Sequence, residues 1–479
     1  MTTPLLPLWQ HDEAVAATNG CGGRSTAPWT AQGISIDSRT LEKNDLFIAI
    51  SGLNFDGHDF VDKAFAAGAA AAMVSRLPDE ADESRPLLLV ENTQKGLGDL
   101  AVAARERTPA RITAITGSVG KTSTKEALRL VLEPQGLTAA SMGNLNNQWG
   151  VPLSLARMPR GSAFGVFELG MNHPGEIVLL SKMVHPHLAV ITSIDPVHLE
   201  FFATIAHIAD SKAEIFQGMD QGVAILPREN SFFPVLAETA REHGVTRIIG
   251  FGAHPEAEAR LVTCDLQPLT SHITAEICGA AITYSLNMPG RHWAINSLVV
   301  LAAVEALNGD VKAAAETLST IEAIEGRGRH SRLSLPGGEC ELFDESYNAS
   351  PVSVRAAISV LSHSQPKGAG RRIAVLGDML ELGERSASLH AGLARDLEKA
   401  KIDLVFTAGE EIKHLRDALQ MEMRGGHAAS AAALAPMVKA ALKPGDIITV
   451  KGSYGSRMRD LLAELKDMNN TPPQAINRN

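Results

Sequence analysis

The run from Arg111 to Gln135, RITAITGSVGKTSTKEALRLVLEPQ, constrains the fold more than any other stretch of the chain. Arg111 to Thr116 alternate and are rich in β-branched residues, as a buried strand requires. Gly117-Ser118-Val119-Gly120 turns the chain, and from Lys121 to Leu132 the apolar positions Ala127, Leu128, Val131 and Leu132 fall at helical spacing. Strand, glycine turn, Lys-Thr and helix together form a P-loop. Backbone N–H groups of such a turn and the open helix N-terminus hold phosphate oxygens, a fixed-dipole contribution of about 0.3–2 kcal/mol each. Lys121 adds a mobile positive charge for the β- and γ-phosphates, and the Thr122 hydroxyl is placed to ligate Mg²⁺. The spacing departs from the general G-x-x-x-x-G-K-[ST] pattern, because Ile115 occupies the first glycine position and Gly117 comes two residues later. The chain is expected to bind a nucleoside triphosphate.

A length of 479 residues suggests about three domains of roughly 150 residues. With 45% apolar but only 4% aromatic residues, Ala, Val, Leu and Ile must fill the cores. The net charge of −10, without a basic block, argues against a nucleic-acid partner. Cys21, Cys264, Cys278 and Cys340 are far apart and form no C-x-x-C, so they read as thiols of a reducing compartment. No basic, apolar leader opens the sequence and no segment reaches about 18 uninterrupted apolar residues, so neither secretion nor membrane insertion is indicated. A cytoplasmic protein is expected, and a monomer.

Taken in order, residues 1–108 read as a small α/β domain, with short strands at Gly33–Asp37, Leu46–Ile50, Ala71–Ser75 and Leu87–Val90 and helices at Asp59–Gly68 and Thr93–Arg107. Two polar clusters stand out there, Asp37-Ser38-Arg39 and Asn54 to His58. Each on its own is ordinary turn chemistry, although an Arg beside a Ser at a strand end can hold a phosphate. Residues 109–326 read as a central domain with a mainly parallel sheet, adding strands at Phe164–Glu168, Leu188–Ser193, Gly222–Leu226 and Thr246–Gly250. Alternating residues from Leu261 to Pro289 suggest appended antiparallel strands, followed by an apolar helix at His292–Leu307. Glu325-Gly-Arg-Gly-Arg329 reads as a hinge. Residues 327–479 repeat a doubly wound, Rossmann-like pattern, with strands at Cys340–Phe343, Arg372–Leu376, Asp403–Thr407 and Asp446–Val450.

Further polar groups sit at the C-terminal ends of these strands, where open α/β sheets place their ligands. They include the loop Gly143-Asn-Leu-Asn-Asn147, and Glu168 at the end of an apolar strand, a common means of holding Mg²⁺. By spacing alone His198 reads as a loop histidine and Lys212 as a solvated helix residue. In the last domain three polar loops, Asp344–Asn348, Leu376–Gly383 and Lys451–Ser453, share one sheet edge. A P-loop in one domain and strand-end loops in another point to an interdomain site.

Several stretches occur in an order that resembles the Mur ligases of peptidoglycan synthesis: TGSVGKTSTKE, GNLNNQWGVP, ELGMNHPGEI, HLEFF, SKAEIF, PGRH with Asn296, DESYNASP, LGDMLELGERS and VKGSYGSRM. The resemblance spans about residues 30–465 and takes in IDSRT and DGHDF of the first domain. It implies an ATP-dependent amide ligase using Mg²⁺. The first domain would bind a UDP-sugar peptide (UDP-N-acetylmuramoyl-tripeptide), the second ATP and the third the incoming amine, D-alanyl-D-alanine. The shifted P-loop glycine is itself the family's form of the loop. Carried over, Gly117, Ser118, Val119, Gly120, Lys121, Thr122 and Ser123 would bind the triphosphate, and Thr122 and Glu168 a metal. The resemblance gives His198 and Lys212 a second metal, Lys212 as a carbamate, which reverses both plain readings. Asn296 would meet adenine, and Arg327, with Arg329 as the alternative, the nucleotide at the hinge. Asp344 and Asn348 would complete the ATP site, while Ser38, Arg39 and Asn147 would touch the UDP substrate. The family pattern has Asn where Trp293 follows His292. The D-N-P-R motif expected of a diaminopimelate-adding relative is absent. A non-catalytic nucleotide-binding regulator should lack Glu168, His198 and Lys212 together.

Overall fold

Strand–helix alternation in the sequence becomes three large sheets, with a two-stranded antiparallel pair of Trp9–Gln10 and Thr30–Ala31, in a computed structural model that describes residues 6–22, 28–52, 55–77, 85–197 and 199–470. In the first domain Gly33–Ser35, Asp45–Ile48, Ala71–Val74 and Leu87–Leu89 run parallel, with Cys21–Gly22 antiparallel at the edge. Every residue of Asp45–Ile48 and Ala71–Val74 is buried, and apart from Asp45 they are continuous apolar runs, as in a covered parallel sheet.

This domain is anchored to its neighbour. Its last helix, Thr93–Glu106, packs on the central helices Gly150–Ala156 and Glu176–Val184. Trp9 Nε1 donates to Ala156 O at 2.9 Å, Arg157 Nε to Ile34 O at 2.7 Å and Arg105 Nε to Val184 O at 2.9 Å. Arg107 lies 3.9 Å over the Trp9 ring and pairs with Glu13 at 2.7 Å.

The central sheet has nine strands in the order 280–286, 271–277, 259–266, 245–252, 222–227, 188–191, 111–116, 164–168, 138–140. From 259–266 to 138–140 all neighbours are parallel, and 259–266, 271–277 and 280–286 pair antiparallel with one another as the appendage. The helix Arg291–Ala306 is apolar almost all round, a pattern that needs cover on every side. It lies between the P-loop helix Lys121–Leu132 and the appended strands.

The third sheet runs 329–335, 338–345, 447–451, 372–377, 404–408, 424–428, all parallel except the first strand. Two of its edges differ from expectation. Arg329–Leu335 (RHSRLSL) is a strand paired antiparallel with Gly338–Glu345, so the hinge narrows to residues 325–328 and Arg329 opens a strand. Its exposed, mostly polar residues hide a strand signal, as an edge strand with one solvated face would. Arg424–Ala428 contains two glycines and has little intrinsic strand preference; pairing with 404–408 makes it one. At the hinge Gly326 and Gly328 have φ of +75° and +94°, values that favour glycine.

Candidate functional site

The P-loop strand ends against a second strand, and that contact shapes the turn. Gly117 has φ +146°, and a Cβ there would lie 1.9 Å from Thr192 Oγ1. Ser118 N–H donates to Ser193 O at 2.9 Å, and Val119 N–H to Ser193 Oγ at 3.0 Å. Ser118 Oγ donates to Asp195 O at 3.0 Å, and Thr192 Oγ1 to Val119 O at 2.6 Å. The loop is thus fastened before any ligand arrives. Thr124 N–H makes the first helical bond, to Gly120 O at 2.9 Å; the amides ahead of it have no carbonyl within the helix to reach. Lys121 Nζ lies over the loop and donates to Gly117 O at 2.7 Å, a contact that a phosphate oxygen can replace. Burial holds Lys121 below the ordinary lysine range; Glu168 opposes this and Arg327 adds to it.

Glu168 ends the adjoining strand and is 2% exposed. Its Oε2 accepts from Thr122 Oγ1 and its Oε1 from Asn146 Nδ2, both at 2.8 Å. Arg327 Nη2 donates to the same Thr122 hydroxyl at 3.1 Å, and the guanidinium stacks 4.0 Å over the Tyr347 ring. Among the described residues no three His, Cys, Asp or Glu side chains come together as a metal site. One carboxylate beside one hydroxyl at the mouth of a phosphate loop nevertheless fits Mg²⁺, which takes few protein oxygens and completes its shell with phosphates and water.

Lys212, on the helix Ile205–Ala213, is 2% exposed. Burial, and next the charge of Lys121, push it well below the lysine range against the opposing pull of Asp195. Asp195 is itself raised by burial. The plain expectation of a solvated Lys212 is therefore corrected: the helix turns this side chain inward, where an ammonium is poorly tolerated.

The cleft above the P-loop, Glu168 and Arg327 has a volume of about 510 Å³ and is walled by two domains; Lys212 lies outside its lining. Ser118 to Ser123, Asn146, Glu168 and Asn296 line the central side. Arg327, Tyr347, Asn348, Leu380, Lys451 and Tyr454 close it from the other. Glu200 N–H reaches Glu381 O at 3.3 Å, a further backbone contact across the domains.

Models of the Mur ligase middle domain, the glutamate ligase domain of Mur ligases and the Mur ligase family catalytic domain match residues 115–304, 328–454 and 30–105. The UDP-N-acetylmuramoyl-tripeptide–D-alanyl-D-alanine ligase of Rickettsia prowazekii is 33% identical over 426 residues, 89% of this chain and 93% of the relative. The Chain belongs to the Mur ligase family. The ligase of the same name from Escherichia coli is 33% identical over 91% of this chain and 94% of its own length. Among solved structures, MurF from Acinetobacter baumannii superposes with a TM-score of 0.85 at 30% identity, covering 97% of this chain and all (100%) of its own. MurF ligase from Thermotoga maritima, solved in complex with ADP, gives 0.78 at 26% identity, over 91% of this chain and 98% of its own.

Within this Mur ligase the cleft gathers most of the residues singled out in the sequence, and leaves some apart. Asn296 faces the loop: a Cβ on Gly120 would lie 3.2 Å from its Oδ1. Of the two hinge arginines, Arg327 enters the cleft, whereas Arg329 is exposed on its strand. Asn348 lines the cleft, but Asp344 does not. Asp344 is 2% exposed and its Oδ1 accepts from Ser346 N–H and Oγ at 3.1 and 2.7 Å, with Lys466 Nζ 3.5 Å from Oδ2. It orders the loop from beneath. Asn147 also lies outside the cleft lining; its Oδ1 accepts from Trp149 and Gly150 N–H at 3.2 and 2.9 Å and starts the helix Gly150–Ala156. Its neighbour Asn146 reaches Glu168 instead. Ser38 and Arg39 follow the strand Gly33–Ser35, and Arg39 is held by Asp37 at 2.7 Å. Trp293, 8% exposed, lines the cleft beside His292, which burial keeps below the histidine range. His198 lies outside the described residues, as does Asn54. Asn146, Tyr347, Glu345 and Lys451 lie in stretches that the sequence pointed to without marking them as site residues; Lys451 and Glu345 pair at 3.3 Å. Asn146 sits in the quoted Gly143-led loop, one position from the residue chosen.

Proposed function

We propose that this Mur ligase joins D-alanyl-D-alanine to UDP-N-acetylmuramoyl-tripeptide, driven by ATP, through an acyl phosphate. The observation that carries the reading is one cleft in which a P-loop, Glu168 and Arg327 meet across two domains, in a chain whose relatives of that activity match over about nine-tenths of its length. The domains are assigned as residues 1–108 for the UDP-sugar peptide, 109–326 for ATP and 327–479 for the incoming amine. Ser38 and Arg39 are assigned to the UDP end, and Asn296 to adenine.

A carboxylate oxygen of the tripeptide attacks the γ-phosphorus, and the bond from that phosphorus to the ADP oxygen breaks. The dipeptide amine then adds to the acyl carbon. The carbon–oxygen bond to phosphate breaks, and the amine proton is lost. Gly117 to Ser123 cradle the phosphates, and Lys121 and Arg327 counter the charge gathering on the transferring group. Thr122 and Glu168 would hold Mg²⁺, which supplies further neutralisation of phosphate charge when bound. The buried Lys212 is disfavoured as an ammonium, and the neutral amine is the form that adds CO₂, giving a carbamate and a proton. As a carbamate, Lys212 would hold a second Mg²⁺ with His198.

No described helix is long and apolar enough to cross a membrane, in keeping with a cytoplasmic enzyme, and a monomer is the proposed state. The test is phosphate release from ATP with UDP-tripeptides carrying lysine or diaminopimelate, each with and without D-alanyl-D-alanine. Turnover is expected only with both substrates. Turnover with a UDP-dipeptide and a single amino acid, and none with D-alanyl-D-alanine, would overturn the assignment.

A further inference from the structure

Of the charged side chains on the P-loop helix that lie outside the cleft lining, Lys125 is the fully buried one. Lys125 is 0% exposed, on the same helix as Thr122 and one turn beyond Lys121. A buried ammonium is tolerated only when its donors are met. Lys125 Nζ donates to Ser141 O at 2.6 Å and Gly143 O at 3.0 Å, and pairs with Glu126 Oε1 at 2.7 Å. Two of these partners are backbone carbonyls of a single loop. A side chain needed only for packing would have no reason to carry a charge there.

That loop leads to Glu168 by two routes. Ser141 Oγ accepts the Glu168 N–H at 3.2 Å. Farther along, Asn146 Nδ2 donates to Glu168 Oε1 at 2.8 Å, and Asn146 O accepts the Gly170 N–H at 2.8 Å. Glu168 Oε2 faces Thr122, three residues before Lys125 and on the same helix face. Lys125 therefore ties the helix that carries the hydroxyl to the loop that aims the carboxylate.

We infer that Lys125 is a positioning residue for the oxygen pair Thr122–Glu168, setting through the Ser141–Asn146 loop the geometry in which that pair takes Mg²⁺. The inference rests on the proposed metal role of the pair. Groups that orient metal ligands from behind typically contribute 10–100-fold to affinity or activity.

The experiment measures binding of a fluorescent ADP analogue across a Mg²⁺ series, for wild type and Lys125→Met, beside kcat, the affinity for UDP-tripeptide and the near-UV circular dichroism. Lys125→Met is expected to stay folded and bind UDP-tripeptide within about twofold of wild type, with its Mg²⁺ midpoint raised roughly 10-fold and kcat lowered by about 10–100-fold. If Lys125→Met does not fold, Asn146→Ala carries the same expectation, because it cuts only the last link and leaves the ammonium satisfied. An unchanged Mg²⁺ midpoint in the folded variant overturns the proposal. Wild-type binding that ignores Mg²⁺ would overturn the metal reading along with it.

Discussion

Replacing Arg327 by alanine removes two contacts, one across the domains to Thr122 and one within its own domain to Tyr347. Its Nη2 donates to Thr122 Oγ1 at 3.1 Å, and its guanidinium lies 4.0 Å over Tyr347. A hydrogen bond from a charged donor contributes about 1.5–3 kcal/mol, and a partly desolvated cation–π contact about 1 kcal/mol. Together they come to roughly 2.5–4 kcal/mol, which at 1.36 kcal/mol per tenfold is about 10²- to 10³-fold in kcat/KM for ATP. Arg329 provides the control, since it is exposed on the edge strand and outside the cleft. Arg327→Lys should recover little, because an ammonium cannot both stack flat and reach the hydroxyl. Steady-state ADP release, with ATP and UDP-tripeptide varied separately, reads the effect. The loss should fall on ATP, with the KM for UDP-tripeptide within about threefold of wild type and Arg329→Ala within the same margin. If Arg327→Ala keeps near-normal kcat/KM, or if Arg329→Ala is the variant that loses it, the assignment fails.

Other outcomes follow from the same geometry. Lys121→Ala should lower kcat far more than it weakens UDP-tripeptide binding, since the charge acts on the phosphoryl group in transit; calorimetry against turnover separates the two. Lys212→Ala should be nearly inactive and partly restored by acetate. Full activity of that variant, or an unmodified lysine in a metal-loaded crystal, would sink the carbamate. His390, 0% exposed, accepts the Met379 N–H at 3.0 Å and its Nδ1 lies 2.8 Å from Ser386 O, and burial holds it below the histidine range. Because its folded pKa lies below the unfolded one, the unfolded chain takes the proton first. Its stabilising effect is present above pH about 6.5 and is lost as the pH falls toward the folded value, by up to about 1.4 kcal/mol per pH unit. Thermal melts should show that acid slope, and His390→Gln should flatten it.

What the sequence made legible was local or periodic. The P-loop helix was read at Lys121–Leu132, where the structure has it, because its apolar spacing and glycine turn agree with its tertiary role. The edge strands Arg329–Leu335 and Arg424–Ala428 were not legible, since pairing rather than composition makes them strands. Lys212 shows a different gap. Nothing in its own helix distinguishes a lysine turned inward from one in water, and only the family resemblance singled it out. Asn146 and Asn147 are chemically identical neighbours. Which of them accepts the N–H groups at the start of a helix and which reaches Glu168 depends on where Gly150 begins the next helix.

In the proposed reaction the tripeptide carboxylate takes the phosphoryl group before the amine arrives, and an oxygen label distinguishes this order. UDP-tripeptide with both terminal carboxylate oxygens replaced by ¹⁸O is turned over with ATP and D-alanyl-D-alanine, and the inorganic phosphate is examined by ³¹P NMR. One ¹⁸O per phosphate is expected, with the other retained in the new peptide carbonyl. Phosphate released in step with peptide formation but carrying no label would contradict the acyl phosphate and the account built on it.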